Sequence, residues 1–201
     1  MNQLDFSEQP EEVLPHDGSA VLHRRFLGPT QATSVLAALT TEVEWEQHSL
    51  TLFGKSVLEP RLSAWVADSG VSYAYSGKKR EPLDWTPTLS TVRDMVSIAT
   101  GQTYNSVLAN LYRDGSDSMG WHADDEPELG PAPVIASISL GAERRFDFRH
   151  NVTGETRHVL LPHGSLLVMS GDSQACWKHR ITRSAKVRGP RINLTYRLVV
   201  S

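Results

Sequence analysis

The sequence predicts one α+β domain, with two helices followed by a β-rich core of the sandwich or barrel type. Three observations carry that reading. The 201 residues, 39% hydrophobic and 21% charged, suit a single globular domain. Two segments before residue 102 have helical spacing. Beyond it the chain breaks into short β-type runs separated by turn residues.

Residues 1–22 read as an acidic N-terminal tail, separable from the single domain at 23–201. Asp5, Glu8, Glu11, Glu12 and Asp17 occur in the first 20 residues without any Lys or Arg. That leaves 20 basic against 18 acidic residues in the rest, so the net charge of −3 hides a mildly basic body. The first helix is predicted over 31–39. Thr30 is the expected cap, and Val35, Leu36 and Leu39 share a face. The second runs over about 88–100, where Leu89, Val92, Val96 and Ala99 follow helical spacing and Gly101 supplies the left-handed stop. Strands are predicted at 104–112, 133–140, 145–149, 158–161, 165–170, 177–181 and 192–200. Gly141, Gly154, Gly164, Gly171 and Gly189 punctuate them.

No apolar run approaches the ~18 residues of a membrane span, and no signal-peptide pattern opens the chain. A membrane partner is therefore not expected, and a monomer is. The single Cys176 rules out an internal disulfide and a Cys-rich zinc site, and suits a reducing compartment.

Two constellations carry chemistry. In extended backbone, His122 and Asp124 project to one side, and His179 offers a second imidazole from a predicted strand. Two His and one carboxylate with three open positions is the arrangement of non-haem Fe(II) oxygenases. His-x-Asp by itself also describes an ordinary surface hydrogen bond. The second constellation is the terminal strand, where period two places Ile192, Leu194, Tyr196 and Leu198 on one face. Arg191, Asn193, Thr195 and Arg197 fall on the other. That face fits either an edge strand with a wet side or an anion site for a dicarboxylate, since guanidinium forks pair with carboxylates. Asn110 and Tyr112 share a face of their own strand and can add hydrogen bonds.

Several ordered motifs carry a family resemblance. They are Asn110-Leu111-Tyr112, His122-Ala123-Asp124-Asp125-Glu126, Ile135-Ala136-Ser137-Ile138-Ser139-Leu140-Gly141-Ala142, His163-Gly164-Ser165-Leu166-Leu167, Trp177-Lys178-His179 and Pro190-Arg191-Ile192-Asn193-Leu194-Thr195-Tyr196-Arg197. From about Leu52 to Leu198 the chain resembles the AlkB family of Fe(II)- and 2-oxoglutarate-dependent nucleic-acid dioxygenases, in particular the DNA-repair subgroup of the animal homologues. The resemblance implies a double-stranded β-helix (jelly-roll) core at 103–201, with helices and a nucleotide-recognition region at 23–102. His122, Asp124 and His179 would hold Fe(II). Asn110, Tyr112, Arg191, Asn193, Thr195 and Arg197 would hold 2-oxoglutarate, and O2 is the co-reactant.

The implied reaction is oxidative demethylation of N-methylated DNA bases such as 1-methyladenine and 3-methylcytosine. It releases formaldehyde, succinate and CO2. RNA or tRNA is the alternative partner. The implied location is cytoplasmic in a bacterium and nuclear in a eukaryote. A methyl on a Watson–Crick nitrogen requires a flipped base. Tyr73, Ala74 and Tyr75 match the nucleotide-recognition strand, and Asp125 matches a base-contacting acid. Phe53, Gly54 and Lys55 resemble the wedge hairpin of the duplex-acting homologue. Tyr73 and Tyr75 equally fit half-buried strand tyrosines, Asp125 a solvated turn carboxylate and Phe53 a packed hairpin. Lys178, Arg180, Arg183, Lys186 and Arg188 form a candidate phosphate patch. Ser184-Ala185-Lys186 stands where the duplex-acting homologue has three basic residues, so strand preference stays open.

Overall fold

A computed structural model describes residues 9–52, 55–71, 73–75, 78–80 and 82–200. In chain order it contains β1 (Glu11–Glu12), β2 (Ser19–His23), α1 (Pro29–Glu42), β3 (Ser49–Leu52), β4 (Lys55–Leu58), β5 (Leu62–Ala67), β6 (Tyr73–Tyr75) and β7 (Lys78–Arg80). There follow α2 (Pro87–Thr100), β8 (Ser106–Tyr112), β9 (Met119–His122), β10 (Ile135–Gly141), β11 (Arg144–His150) and β12 (Thr156–Leu161). β13 (Ser165–Ser170), α3 (Ser173–Cys176), β14 (Trp177–Ile181) and β15 (Arg191–Arg197) complete it.

Two antiparallel sheets form the jelly-roll core. The larger has the order β1-β2-β13-β10-β15-β8-β5, and the smaller β12-β11-β14-β9. Strands distant in sequence lie side by side, which is how a jelly roll closes its edges. β3 pairs with β4 and β6 with β7 in separate two-stranded ribbons.

Apolar side chains fill both faces of the larger sheet. Ile138, Ile192, Leu194 and Tyr196 pack against Leu39, Leu89, Val92 and Val96 of the helices. Leu22, Leu167 and Met169 face Phe146, Phe148 and Trp177 of the smaller sheet. The Tyr196 hydroxyl donates to the Leu89 carbonyl at 3.0 Å, tying β15 to α2. β15 is therefore covered on both sides, and all seven of its residues are buried. An edge strand with a wet face is excluded. Leu198 lies beyond the strand and is exposed, so it does not extend the apolar face.

The helices begin earlier than their polar residues suggest. Thr30 is not the cap of α1. Pro29 occupies the first turn after Gly28, and no side chain caps it. In α2, Thr86 accepts from the Leu89 N–H and Gly101 ends the helix at φ 66°. Ala99 faces solvent rather than the core.

The N-terminal segment departs most from expectation. Residues 1–8 lie outside the described residues, but 9–22 are no separable tail. β2 pairs with β13 along its length, from Leu166↔His23 to Ser170↔Ser19. Leu14, Ala20 and Leu22 are buried. Five acidic residues masked an alternation of period two, with Ala20 and Leu22 inward. Leu22→Ala should therefore destabilise the domain by about 2–5 kcal/mol in urea unfolding. A tail residue would change it by less than about 0.5 kcal/mol.

Candidate metal and dicarboxylate site

The register of the smaller sheet brings the two imidazoles together. His179 of β14 pairs directly with His122 of β9, and their ring centroids lie 4.2 Å apart. β9 ends at His122, so Asp124 reaches the pair from the following loop and not from a continuing strand. The ligand atoms of His122, Asp124 and His179 all lie within 4.8 Å of one another. The Nδ1–H of His122 donates to the Gly120 carbonyl at 2.9 Å. That tautomer leaves the Nε2 lone pair for a cation, as metal-binding histidines require.

Electrostatics agree with this role. Burial, reinforced by His122, pushes His179 down to about 3, and burial likewise lowers His122. Both rings stay in the neutral form that binds metals. For Asp124 burial pushes the carboxyl up. The Arg197 guanidinium is the leading charge that outweighs it and holds the group below its ordinary value. Arg197 donates from Nη2 to Asp124 Oδ1 at 2.5 Å.

Among the described residues a second group, His16, Asp17 and His150, has comparable spacing. It is not a comparable site. Thr153 N–H donates to His150 Nδ1 at 3.1 Å, so Nε2 carries the proton and donates to Asp17 at 3.2 Å. His16 sits between Glu155 and Asp17 at 3.0 Å each, and these bonds raise its pKa. Both rings there act as donors, while the His122 group presents lone pairs.

The dicarboxylate constellation assembles on β15 and its neighbours. Arg191 lies opposite Tyr112 and Asn193 opposite Asn110 on β8. On the other side, Asn193 faces Ser139 and Thr195 faces Ser137 on β10. All six predicted residues are buried. A narrow cavity of about 20 Å³ is lined by the three metal-type residues together with Asn110, Tyr112, Asn193, Thr195 and Arg197. Arg191 is not on that wall. Its guanidinium lies 5.2 Å from the centre of the Tyr112 ring.

Arg191 gives the strongest evidence for an anion. It is 1% exposed, and its Nη2 donates to Ser139 Oγ at 2.9 Å. Its Nε and Nη1 meet no hydrogen-bond partner among the described residues. Burial pushes the group down to about 10 against the opposing influence of Tyr112. Leaving buried charged donors unmatched is costly, so the set fits a carboxylate supplied from outside.

Three contributors escaped the sequence reading. Arg61 donates from Nε to Asn110 Oδ1 at 2.9 Å and pairs with Glu59 at 2.8 Å. Gln174 accepts the Asp124 N–H through Oε1 at 2.9 Å. All three are buried polar residues in segments that read as loops, with no spacing signal to expose them.

The substrate-side expectations are only partly placed. Phe53 and Gly54 lie outside the described residues. Lys55 opens β4 opposite Leu52. Tyr73, Ala74 and Tyr75 form β6, paired with Arg80, Lys79 and Lys78 of β7. Asp125 is exposed beside the buried Asp124. Arg180 of the candidate phosphate patch pairs with Asp147 at 3.0 Å and lies 4.3 Å over the Trp121 ring.

Residues 19–197 match the 2OG-Fe(II) oxygenase superfamily. The chain is 39% identical over 188 residues to the human alpha-ketoglutarate-dependent dioxygenase alkB homolog 3, covering 89% of this chain and 65% of that protein. It thus spans just under two thirds of that relative's length. It is 41% identical over 184 residues to the mouse DNA oxidative demethylase ALKBH2, covering 86% of this chain and 77% of that one. The solved structure of OsALKBH1 superposes with a TM-score of 0.65 at 17% identity, covering 94% of this chain and all of that one.

Asp124→Ala should abolish Mn(II) binding measured by calorimetry, and the wild type should bind one ion per chain, because the His16 group does not take a second. Arg191→Ala should weaken 2-oxoglutarate binding by about ten- to a hundredfold. This corresponds to a charge-assisted bond of about 1.5–3 kcal/mol.

Proposed function

Since the chain belongs to the 2OG-Fe(II) oxygenase superfamily, we propose that it is a DNA-repair dioxygenase that removes methyl groups from the nitrogens of alkylated bases. Fe(II), 2-oxoglutarate and O2 are its co-reactants. The observation that carries the reading is the convergence of His122, Asp124 and His179 on one cavity with the polar face of β15. The likeness to relatives named as a DNA oxidative demethylase and an alkB homolog supports the substrate class.

His122, Asp124 and His179 are the residues that would hold Fe(II), leaving three positions for 2-oxoglutarate and O2. Bound together, iron, 2-oxoglutarate and O2 supply the oxidation of an N-methyl C–H bond. The net reaction converts the N-methyl base, 2-oxoglutarate and O2 into the free base, formaldehyde, succinate and CO2. The chain's own residues bind and orient. Arg191, beside Tyr112 and Ser139, suits the far carboxylate of 2-oxoglutarate. Asn110, Asn193, Thr195 and Arg197 line the space between it and the three ligands. Burial of Asp124, His179 and the six dicarboxylate residues would keep bulk water from the 2-oxoglutarate site.

Features near the cavity suit a polyanion. Trp121, next to His122, has Arg149 4.7 Å and Arg180 4.3 Å from its ring. Arg149 lies directly across from Lys178. Like charges in direct opposition are unfavourable in a sheet unless an anion covers them. Phe53, Gly54, Lys55, Tyr73, Ala74, Tyr75 and Asp125 remain the proposed base- and strand-contacting residues.

The deciding experiment is mass spectrometry of oligonucleotides carrying 1-methyladenine or 3-methylcytosine, single- and double-stranded, with Fe(II) and 2-oxoglutarate. Loss of one methyl group per lesion with matching succinate is expected. Succinate without demethylation of any DNA, together with demethylation of the RNA counterpart, would overturn the DNA assignment. Phe53→Ala should reduce activity on duplex by about ten- to a hundredfold, from a base-stacking contribution of about 1–3 kcal/mol. Activity on single strands should change little. Equal loss on both would show that Phe53 is no wedge.

A further inference from the structure

The structure assigns a task to Gln174: it positions Asp124, and the N-terminal turn 16–18 holds it there. This inference rests on the reading of His122, Asp124 and His179 as the metal ligands.

Asp124 lies past the end of β9, so no sheet ladder fixes its peptide. Its N–H is instead taken by Gln174 Oε1 at 2.9 Å, with both residues buried. The Gln174 amide has a defined orientation. Its Nε2 meets Ser173 Oγ at 3.3 Å and Met169 Sδ at 3.6 Å, which turns Oε1 toward Asp124. With Arg197 on Oδ1, Asp124 is held at both its peptide and its carboxylate. A carboxylate restrained in this way meets a cation without first losing rotational freedom.

Gln174 sits on α3, whose four residues are too few to be stable unaided. The N-terminal turn grips that helix at both ends. At its start, Gly18 has φ 118°, and a Cβ there would stand 2.3 Å from the Ser173 nitrogen. Only glycine permits both the conformation and the approach. At its end, the Trp177 indole N–H donates to the His16 carbonyl at 3.1 Å. The turn is itself fastened to β11 and the loop beyond it. His16 bridges Asp17 and Glu155, and His150 donates to Asp17. A continuous chain of contacts thus runs from the N-terminal turn through α3 and Gln174 to the proposed ligand. Asp17, from the acidic opening of the sequence, thereby becomes part of the metal site's support.

The test is Mn(II) titration of the full chain by calorimetry, with near-UV circular dichroism at 25 °C as the check on folding. Q174M keeps the side chain's length and removes the acceptor. It should bind Mn(II) about 10–100-fold more weakly while folded. G18A should shift the affinity in the same direction. A folded Q174M that binds Mn(II) like the wild type overturns the positioning role, and a folded G18A that does so overturns the part given to the turn. D124A separates this from the parent reading: if D124A retains wild-type Mn(II) affinity, the triad assignment itself is wrong. Should Q174M fail to fold, hydrogen exchange of the metal-free wild type decides. Slow exchange of the Asp124 amide before metal is added supports the role, and exchange as fast as an exposed amide overturns it.

Discussion

Two guanidinium groups buried on one face of a central strand set the terms for the rest of the molecule. Arg191 and Arg197 are 1% and 4% exposed, in the middle of a seven-stranded sheet. A charge in that position is tolerable only if it is paired or hydrogen-bonded. Arg197 meets Asp124, and the pair draws the loop after β9 into the interior. Arg191 meets Ser139 and the Tyr112 ring, with two nitrogens still to be matched. The cavity follows from this arrangement, because these charges keep the interior from closing on apolar packing.

The two-sheet architecture makes that burial possible. α1 and α2 cover the apolar face of β15, and the smaller sheet covers the polar one. β14 contributes His179 with Phe146 stacked 5.2 Å away, and β9 contributes His122 directly opposite. Each imidazole is held by a strand ladder, so its geometry is that of the sheet. Asp124 is the exception and depends on side chains from elsewhere, Arg197 and Gln174. Of the three proposed ligands it is therefore the most sensitive to changes in distant segments.

Local patterning made much of this legible in the sequence. Strict alternation from Arg191 to Arg197 predicts a two-faced strand, and Leu89, Val92 and Val96 predict one side of a helix. Strands 165–170 and 177–181 have the same limits in the structure. In 9–22 acidic residues dominate the composition and hide the strand pattern, although Ala20 and Leu22 occupy inward positions of β2. Thr30 resembles a cap, but the helix starts at Pro29, two residues before 31.

What the sequence by itself determined was the set of groups available: two imidazoles and a carboxylate for a cation, and two arginines with Asn and Thr for an anion. Periodicity also settled which of them share a face, because side chains alternate along a strand whatever its neighbours. Tertiary structure alone decided what meets what. His179 lies beside His122 because β14 pairs with β9, and Tyr112 lies beside Arg191 because β15 pairs with β8. Arg61 and Gln174 acquired their roles the same way, by being buried against Asn110 and Asp124 far away in the chain, and Glu59 joins them through its pair with Arg61. Register between distant strands comes from packing both faces of a sheet at once. No local pattern encodes that, so these contacts exist only in the folded chain.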